Sequence, residues 1–193
     1  MTVKSPAFDI LRHDGSFEIR RYDRYLTASV RVSAAGYGEA ANVGFNPLAD
    51  YIFGNNRQSS RISMTAPVSA SYAEGQKIAM TTPVTATQSA EEYVVSFTMP
   101  AQLSMDELPV PNNPTVVLEV VEPRVVAAVS FSGYLSEKGF AKALDALTEW
   151  MAEQDVTPIG EPVSAQYDAP WKPGFVRHNE VLIAVDPQSP GLA

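Results

Sequence analysis

One spacing constrains this chain more than any other feature. Moved along itself by 99 residues, the sequence places apolar positions on apolar positions through a strand, a turn, a second strand and a helix. Ile19 falls on Leu118, Ala28 on Ala127, Val30 on Val129 and Val32 on Phe131. In the helical stretch, Ala41 falls on Phe140, Phe45 on Leu144, Leu48 on Leu147, Tyr51 on Trp150 and Ile52 on Met151. Beyond the helices the register slips to 103, setting Met64–Val68 against Tyr167–Trp171. Such slips fall in loops, where insertions are tolerated. Each strand–helix unit leaves one apolar sheet face exposed. The spacing therefore predicts that the two sheets join into one curved or barrel-like sheet with a helix from each half outside. Grooves between such halves are a usual place for a small ligand.

The local patterns supply the elements. Phe17–Val32 reads as two strands around a turn at Asp23-Arg24, with Leu26, Ala28, Val30 and Val32 alternating on one face. Tyr37–Phe53 carries helical spacing, but Pro47 removes a backbone donor inside it. A kink is expected there, or a helix that effectively starts near Phe45-Asn46. Two look-alike strands follow, Ile62–Val68 and Ile78–Val84, with a hairpin turn at Glu74-Gly75. Met64 and Met80 share faces with Ile62 and Ile78 and are read as core. Tyr93–Met99 is a further strand. The Pro-rich stretch 100–114 is a connecting loop pinned by Leu103, Met105, Leu108 and Val110. Thr115–Phe131 repeats the strand–turn–strand pattern. Ser136 caps a helix running to Glu153, and Ala165–Pro170 and Asn179–Val185 are the last strands. One domain results, with repeats at about 16–99 and 115–185 and a frayed tail at 186–193.

Composition removes several function classes. A chain of 193 residues without cysteine has no disulfide, thiolate metal site or cysteine nucleophile. No apolar run is long enough for a membrane span. A net charge of -8 argues against a nucleic-acid partner, which calls for clustered Lys and Arg, and suits a cytoplasmic protein. Glycine-rich phosphate loops, HExxH and GxSxG are missing from the sequence. No convincing catalytic constellation emerges, and the chain is not expected to be an enzyme. His13 lies in a polar leader and reads as a solvated surface residue. His178 is read first as hydrogen-bonded at the surface and second as a metal ligand. Glu180 is the carboxylate beside it; taken as strand neighbours, the two would face opposite sides. Trp171-Lys-Pro-Gly-Phe175 places two large aromatics and a lysine in a short loop. Such a loop either plugs the end of the core or forms the lip of an apolar groove.

Several segments taken in order resemble the SOUL, or heme-binding protein, family. They are Phe17–Tyr22, Tyr51–Asn56, Met64–Val68, Lys77–Val84, Phe131–Gly133, Tyr167–Pro173 and Arg177–Val181. The resemblance implies an α+β fold, a pseudo-twofold duplicated, distorted antiparallel β-barrel flanked by two main helices. Bacterial multidrug-effector domains share this kind of fold. It also implies binding of heme or another tetrapyrrole in an apolar cleft, as a non-catalytic carrier or buffer. The cleft is expected between the first helix, with Asn42, Phe45 and Ala49, and the loop holding Trp171, Lys172, Phe175 and Arg177. Lys172 matches a cation that pairs a propionate. Two further basic positions of the family fall at Asn42 and Asp50, and the axial histidine of one subgroup falls at Arg21. Arginine does not ligate iron as a cation, so the candidate ligands are His178, a tyrosine or a methionine, or there is none. The alternative is an effector-binding or protein-interaction module of the same fold without heme.

Overall fold

The computed structural model describes residues 6–57, 76–79, 83–89, 92–168 and 172–192. In chain order the elements are β1 (Phe8–Asp14), β2 (Phe17–Tyr22), β3 (Tyr25–Val32), α1 (Tyr37–Phe53) and β4 (Asn56–Arg57). Then come β5 (Val84–Ser89), β6 (Glu92–Thr98), β7 (Val110–Pro111), β8 (Val117–Val121) and β9 (Arg124–Ser132). The chain ends with α2 (Glu137–Glu153), β10 (Val163–Gln166) and β11 (His178–Ala184). Nine strands form one antiparallel sheet in the order β1-β2-β9-β11-β10-β5-β6-β3-β8, and β4 pairs with β7 apart from it. The tight corner at Asp23-Arg24 joins β2 to β3, which stand near opposite ends of that order. A flat sheet cannot close so short a link, so the sheet curls into a half-barrel.

The duplication is written into the ladders. Ile19 of β2 lies opposite Ala127 of β9, and Leu118 of β8 lies opposite Ala28 of β3. Moving each residue of the first pair by the repeat spacing gives the second pair. The copies thus exchange their first strands, and each copy's sheet is completed by the other. The symmetry continues at the centre, where Thr85 faces Ala165 and Thr87 faces Val163. Two insertions break it. The Ile78 amide donates to Ile52 O at 2.8 Å, and the Val156 amide donates to Met151 O at 2.9 Å. The second copy makes this return with Ala152–Asp155, whereas the first uses Phe53–Lys77. Conversely, β5 and β6 meet in a hairpin that pairs Ser89 with Glu92, while Gln166 and His178 are joined by a long loop.

α1 packs on β3, β5 and β6, and α2 packs on β9 and β11. One apolar cluster spans both halves and includes Leu48, Ile52, Val95 and Phe97 with Leu147, Met151, Val181 and Ile183. The helices meet at their N-terminal ends, where Tyr37 stacks on Phe140 with ring centroids 3.9 Å apart. Gly44 lets α1 approach the sheet, since a Cβ there would lie 2.5 Å from Val95 Cβ.

Several expectations change. α1 runs unbroken from Tyr37 to Phe53 with Pro47 inside it, so the helix does not restart at Phe45. The bond that Pro47 forfeits would go to Val43, on the exposed side of the helix, where water can take the carbonyl. The leader around His13 is strand β1, its ring 3.1 Å from Glu18. Leu108 is buried in the 100–114 loop, but Val110 is exposed and pairs with β4. Residues 76–79 carry no strand, and β5 begins where the expected strand Ile78–Val84 ends. The strand Ile62–Val68, the turn at Glu74-Gly75, Met64 and Met80 lie outside the described residues. The tail as far as Leu192 is held in place: Gly191 N–H donates to Asp155 O, and Arg12 donates to Gly191 O at 2.6 Å.

Candidate ligand-binding site

The loop from Gln166 to His178 is tied down at both ends. Tyr167 N–H donates to His178 O at 3.2 Å, which closes its base. Asp168 accepts the His178 amide at 2.6 Å with one oxygen and ion-pairs with Lys172 through the other. These contacts hold the Asp168 carboxyl below the usual carboxylate range, the Lys172 hydrogen bond first and the His178 amide second. Arg177 Nε donates to Lys172 O at 2.8 Å, and its guanidinium lies 4.5 Å from the centroid of the Tyr134 ring. Gly174 sits beneath the same ring, where a Cβ would come within 2.6 Å of a ring carbon. A single turn of 3-10 helix, Gly174–Val176, forms the crest. On this braced crest Phe175 is 81% exposed and Val176 50% exposed. Phe175 and Val176 therefore do not plug the core.

Behind the loop lies a buried charge cluster. Glu180, 2% exposed, receives two hydrogen bonds from Arg20 at 2.8 and 2.7 Å and one from the Tyr167 hydroxyl. Arg20 also donates to Glu18 at 2.6 Å and to the Tyr22 hydroxyl at 3.3 Å. Burial opposes ionisation of Glu180, but the Arg20 contacts outweigh it and hold its pKa below the ordinary value. Burial, followed by the Glu180 charge, pushes the Tyr167 phenol up. His178 corrects the sequence reading. It stands two residues from Glu180, not one, so both project from the same face of β11, and Nε2 lies 3.1 Å from Glu180 Oε1. An ionised carboxylate only accepts, so Nε2 donates to it, and a ring with a single hydrogen has its lone pair on Nδ1.

On α1, Asn42 is exposed, Phe45 is half-buried with its ring 5.4 Å from Phe97, and Ala49 is buried. Val43 and Phe53 add exposed apolar surface to this helix. Gln166 pairs with Val84, which sets the foot of the loop beside the start of β5, the strand on which α1 packs. The segment before α2 bridges the two: Tyr134 covers Gly174, and a Cβ on Gly38 would lie 3.2 Å from Leu135 O. Of the expected residues, Lys172, Phe175 and Arg177 share one loop, His178 begins β11 at its foot, and Asn42, Phe45 and Ala49 share α1. Trp171 lies outside the described residues. Sequence reasoning missed Tyr134 and the Arg20–Glu180 pair. The FEIRRY strand offered a signal, because alternation buries one of its two arginines.

Residues 3–184 match the SOUL heme-binding protein family. The chain belongs to that family. Among relatives, this SOUL chain is 31% identical to human heme-binding protein 2 over 171 residues, 88% of this chain and 78% of that protein. It is 26% identical to Xenopus laevis heme-binding protein 1 over 166 residues, 86% of this chain and 82% of that protein. The fold also resembles the EcmrR C-terminal domain, with a TM-score of 0.62 at 10% identity, covering 88% of this chain and 96% of that one. A hydrolase from Listeria innocua gives a TM-score of 0.58 at 11% identity, covering 89% and 92%. In the SOUL chain, no helix among the described residues is long and apolar enough to cross a membrane. No cluster of three or more His, Asp or Glu suited to a metal ion occurs among them.

Proposed function

We propose that this chain is a cytoplasmic, non-catalytic carrier or buffer that binds heme or a related tetrapyrrole. The cleft lies between α1, with Asn42, Phe45 and Ala49, and the loop carrying Trp171, Lys172, Phe175 and Arg177. The observation that carries the reading is Phe175, which stands 81% exposed on a loop braced by Asp168, Tyr134 and Arg177. A flat apolar ligand would cover that ring without first having to order the Gly174–Val176 turn. The names of the human and Xenopus relatives support the ligand class.

The residues present fit a porphyrin in its apolar body and in one charge. The Lys172 side chain is half exposed, and its ammonium is available to a propionate at the cost of its contact with Asp168. His178 has the arrangement common to metal-bound imidazoles, one nitrogen on a carboxylate and the other bearing a lone pair. Bound iron would supply an electron-accepting centre for that nitrogen. Glu180 fixes the ring, and Asp168 fixes its backbone. Arg21, exposed on β2, contributes no ligand.

Titration of the purified protein with hemin tests the proposal. A saturable Soret shift at micromolar heme is the expected result. Phe175→Ala and Lys172→Ala should each weaken binding about three- to tenfold, the loss of one apolar contact or one charge-assisted pair. His178→Ala should change the band position more than the affinity. Absence of a saturable shift, or three variants indistinguishable from wild type, would sink the idea.

A further inference from the structure

The second copy carries a groove at two positions where the first copy holds aromatic rings in contact. α2 and the segment leading into β10 border a shallow, open depression of about 600 Å³ lined on its apolar side by Leu144 and Ile183. The repeat relates Leu144 to Phe45. The ladders relate Ile183 to Phe97, because Ala127 opposite Ile183 answers Ala28 opposite Phe97. In the first copy these two positions hold aromatic rings in edge contact, 5.4 Å apart. In the second they hold two aliphatic side chains, and both line the depression.

The far wall is fixed. Pro158 and Pro162 stand in it, Ile159 N–H donates to Ala184 O at 2.8 Å, and Pro158 bridges to Val185. Gly160 allows the close approach, since a Cβ there would lie 3.1 Å from Ala184 Cβ. The rim is acidic. Asp145 and Glu149 line the groove from α2, and no lysine or arginine among the described residues lines it. An apolar side, a preformed wall and two exposed carboxylates select a compact hydrophobic molecule bearing a positive charge, and disfavour an anion such as a porphyrin propionate.

We infer that the groove between α2 and residues 158–162 is a second ligand site, for hydrophobic organic cations, separate from the α1 cleft. Three acridines of one shape test it at neutral pH, namely cationic 9-aminoacridine, neutral acridine and anionic acridine-9-carboxylate, followed by fluorescence and by amide shifts of α2. Saturable binding in the order cation, neutral, anion is expected. Asp145→Asn and Glu149→Gln should each weaken the cation about two- to fivefold, as exposed charge pairs do. Leu144→Phe and Ala152→Phe restore the first copy's residues, Phe45 and Phe53, and should abolish binding while hemin titration stays unchanged. Ala152 is exposed, so its variant decides the matter if Leu144→Phe does not fold. Cation binding that survives Ala152→Phe, that falls in Lys172→Ala instead, or that the anion matches would overturn the inference.

Discussion

Arg20 and Glu180 are the two charges that the fold buries together. Arg20 is 6% exposed and Glu180 2%, with both guanidinium–carboxylate bonds formed. Removing Glu180 leaves the desolvated Arg20 with Glu18 alone as its counter-charge. Glu180→Gln should therefore cost about 3–5 kcal/mol. Urea unfolding followed by far-UV circular dichroism measures it. Replacing both, as Arg20→Met with Glu180→Leu, should recover most of the loss, because an apolar pair needs no desolvation. If the double variant is no better than the single, the pair is not the source of the loss. Only part of this cluster was legible beforehand. Alternation along Phe17–Tyr22 puts Ile19 and Arg21 on one side and Arg20 on the other, but does not say which side is covered. The partner lies 160 positions away on β11, and β9 stands between the two strands. Such a pairing depends on the sheet order. His178 shows a different limit. Its spacing from Glu180 was sufficient to place both on one face, and counting them as neighbours concealed that.

At the scale of elements, α1 shows how packing overrides propensity. Alanine is better than glycine inside a helix by about 1 kcal/mol, so Gly44 weakens α1 as an isolated helix. It is retained against β6, where Val95 is fully buried and a Cβ on residue 44 would overlap it at 2.5 Å. Gly44→Ala should thus destabilise the protein by about 1–3 kcal/mol despite the gain in propensity. Adding Val95→Ala should make the Gly44→Ala change less costly than it is in the wild-type background, a coupling that a double-mutant cycle reads directly. Additive effects would show that the two residues do not collide. In the second copy the corresponding residue is Ala143, buried on α2, and the tolerance for a methyl group there shows that the two helix–sheet contacts are not equivalent. The span of α1 could be read from its apolar spacing, Tyr37 to Phe53. Its continuity through Pro47 could not, because that depends on which side of the helix meets water. β1 was missed for a related reason: its residues Ile10 and Leu11 are exposed, so the alternation that marks a half-buried strand is weak there.

For the whole molecule, the repeat spacing predicted the curled sheet because two incomplete sheets complete each other. It carried no information on what lies outside the repeat. Both ends of the chain do, and the structure joins them on the C-terminal end of α2. Trp150 Nε1 donates to Asp14 at 2.9 Å, and Arg12 donates to Gln154 at 3.1 Å and to Gly191 O. The helix ends in a left-handed turn at Asp155, where φ is 54°, a conformation that a non-glycine residue adopts only when its surroundings hold it. The tail supplies that hold. Gly191 N–H donates to Asp155 O at 3.1 Å, and Ser189 Oγ accepts the Thr157 amide at 3.0 Å. Gly191 lies so close to the turn that no side chain would fit, a Cβ there falling 1.7 Å from Gln154 O. Ending the chain at Asp186 removes all three tail contacts, and each lost hydrogen bond is worth about 0.5–1.5 kcal/mol. At about 2–4 °C per kcal/mol for a chain of this size, the melting temperature should fall by several degrees. Asp155→Gly in the shortened chain should regain part of that loss, since glycine takes a positive φ without strain. The same substitution in the full-length chain should do less, because the tail already holds the turn. Scanning calorimetry of the four proteins separates these terms, and a shortened chain that melts with the full-length one would show that the tail is no latch.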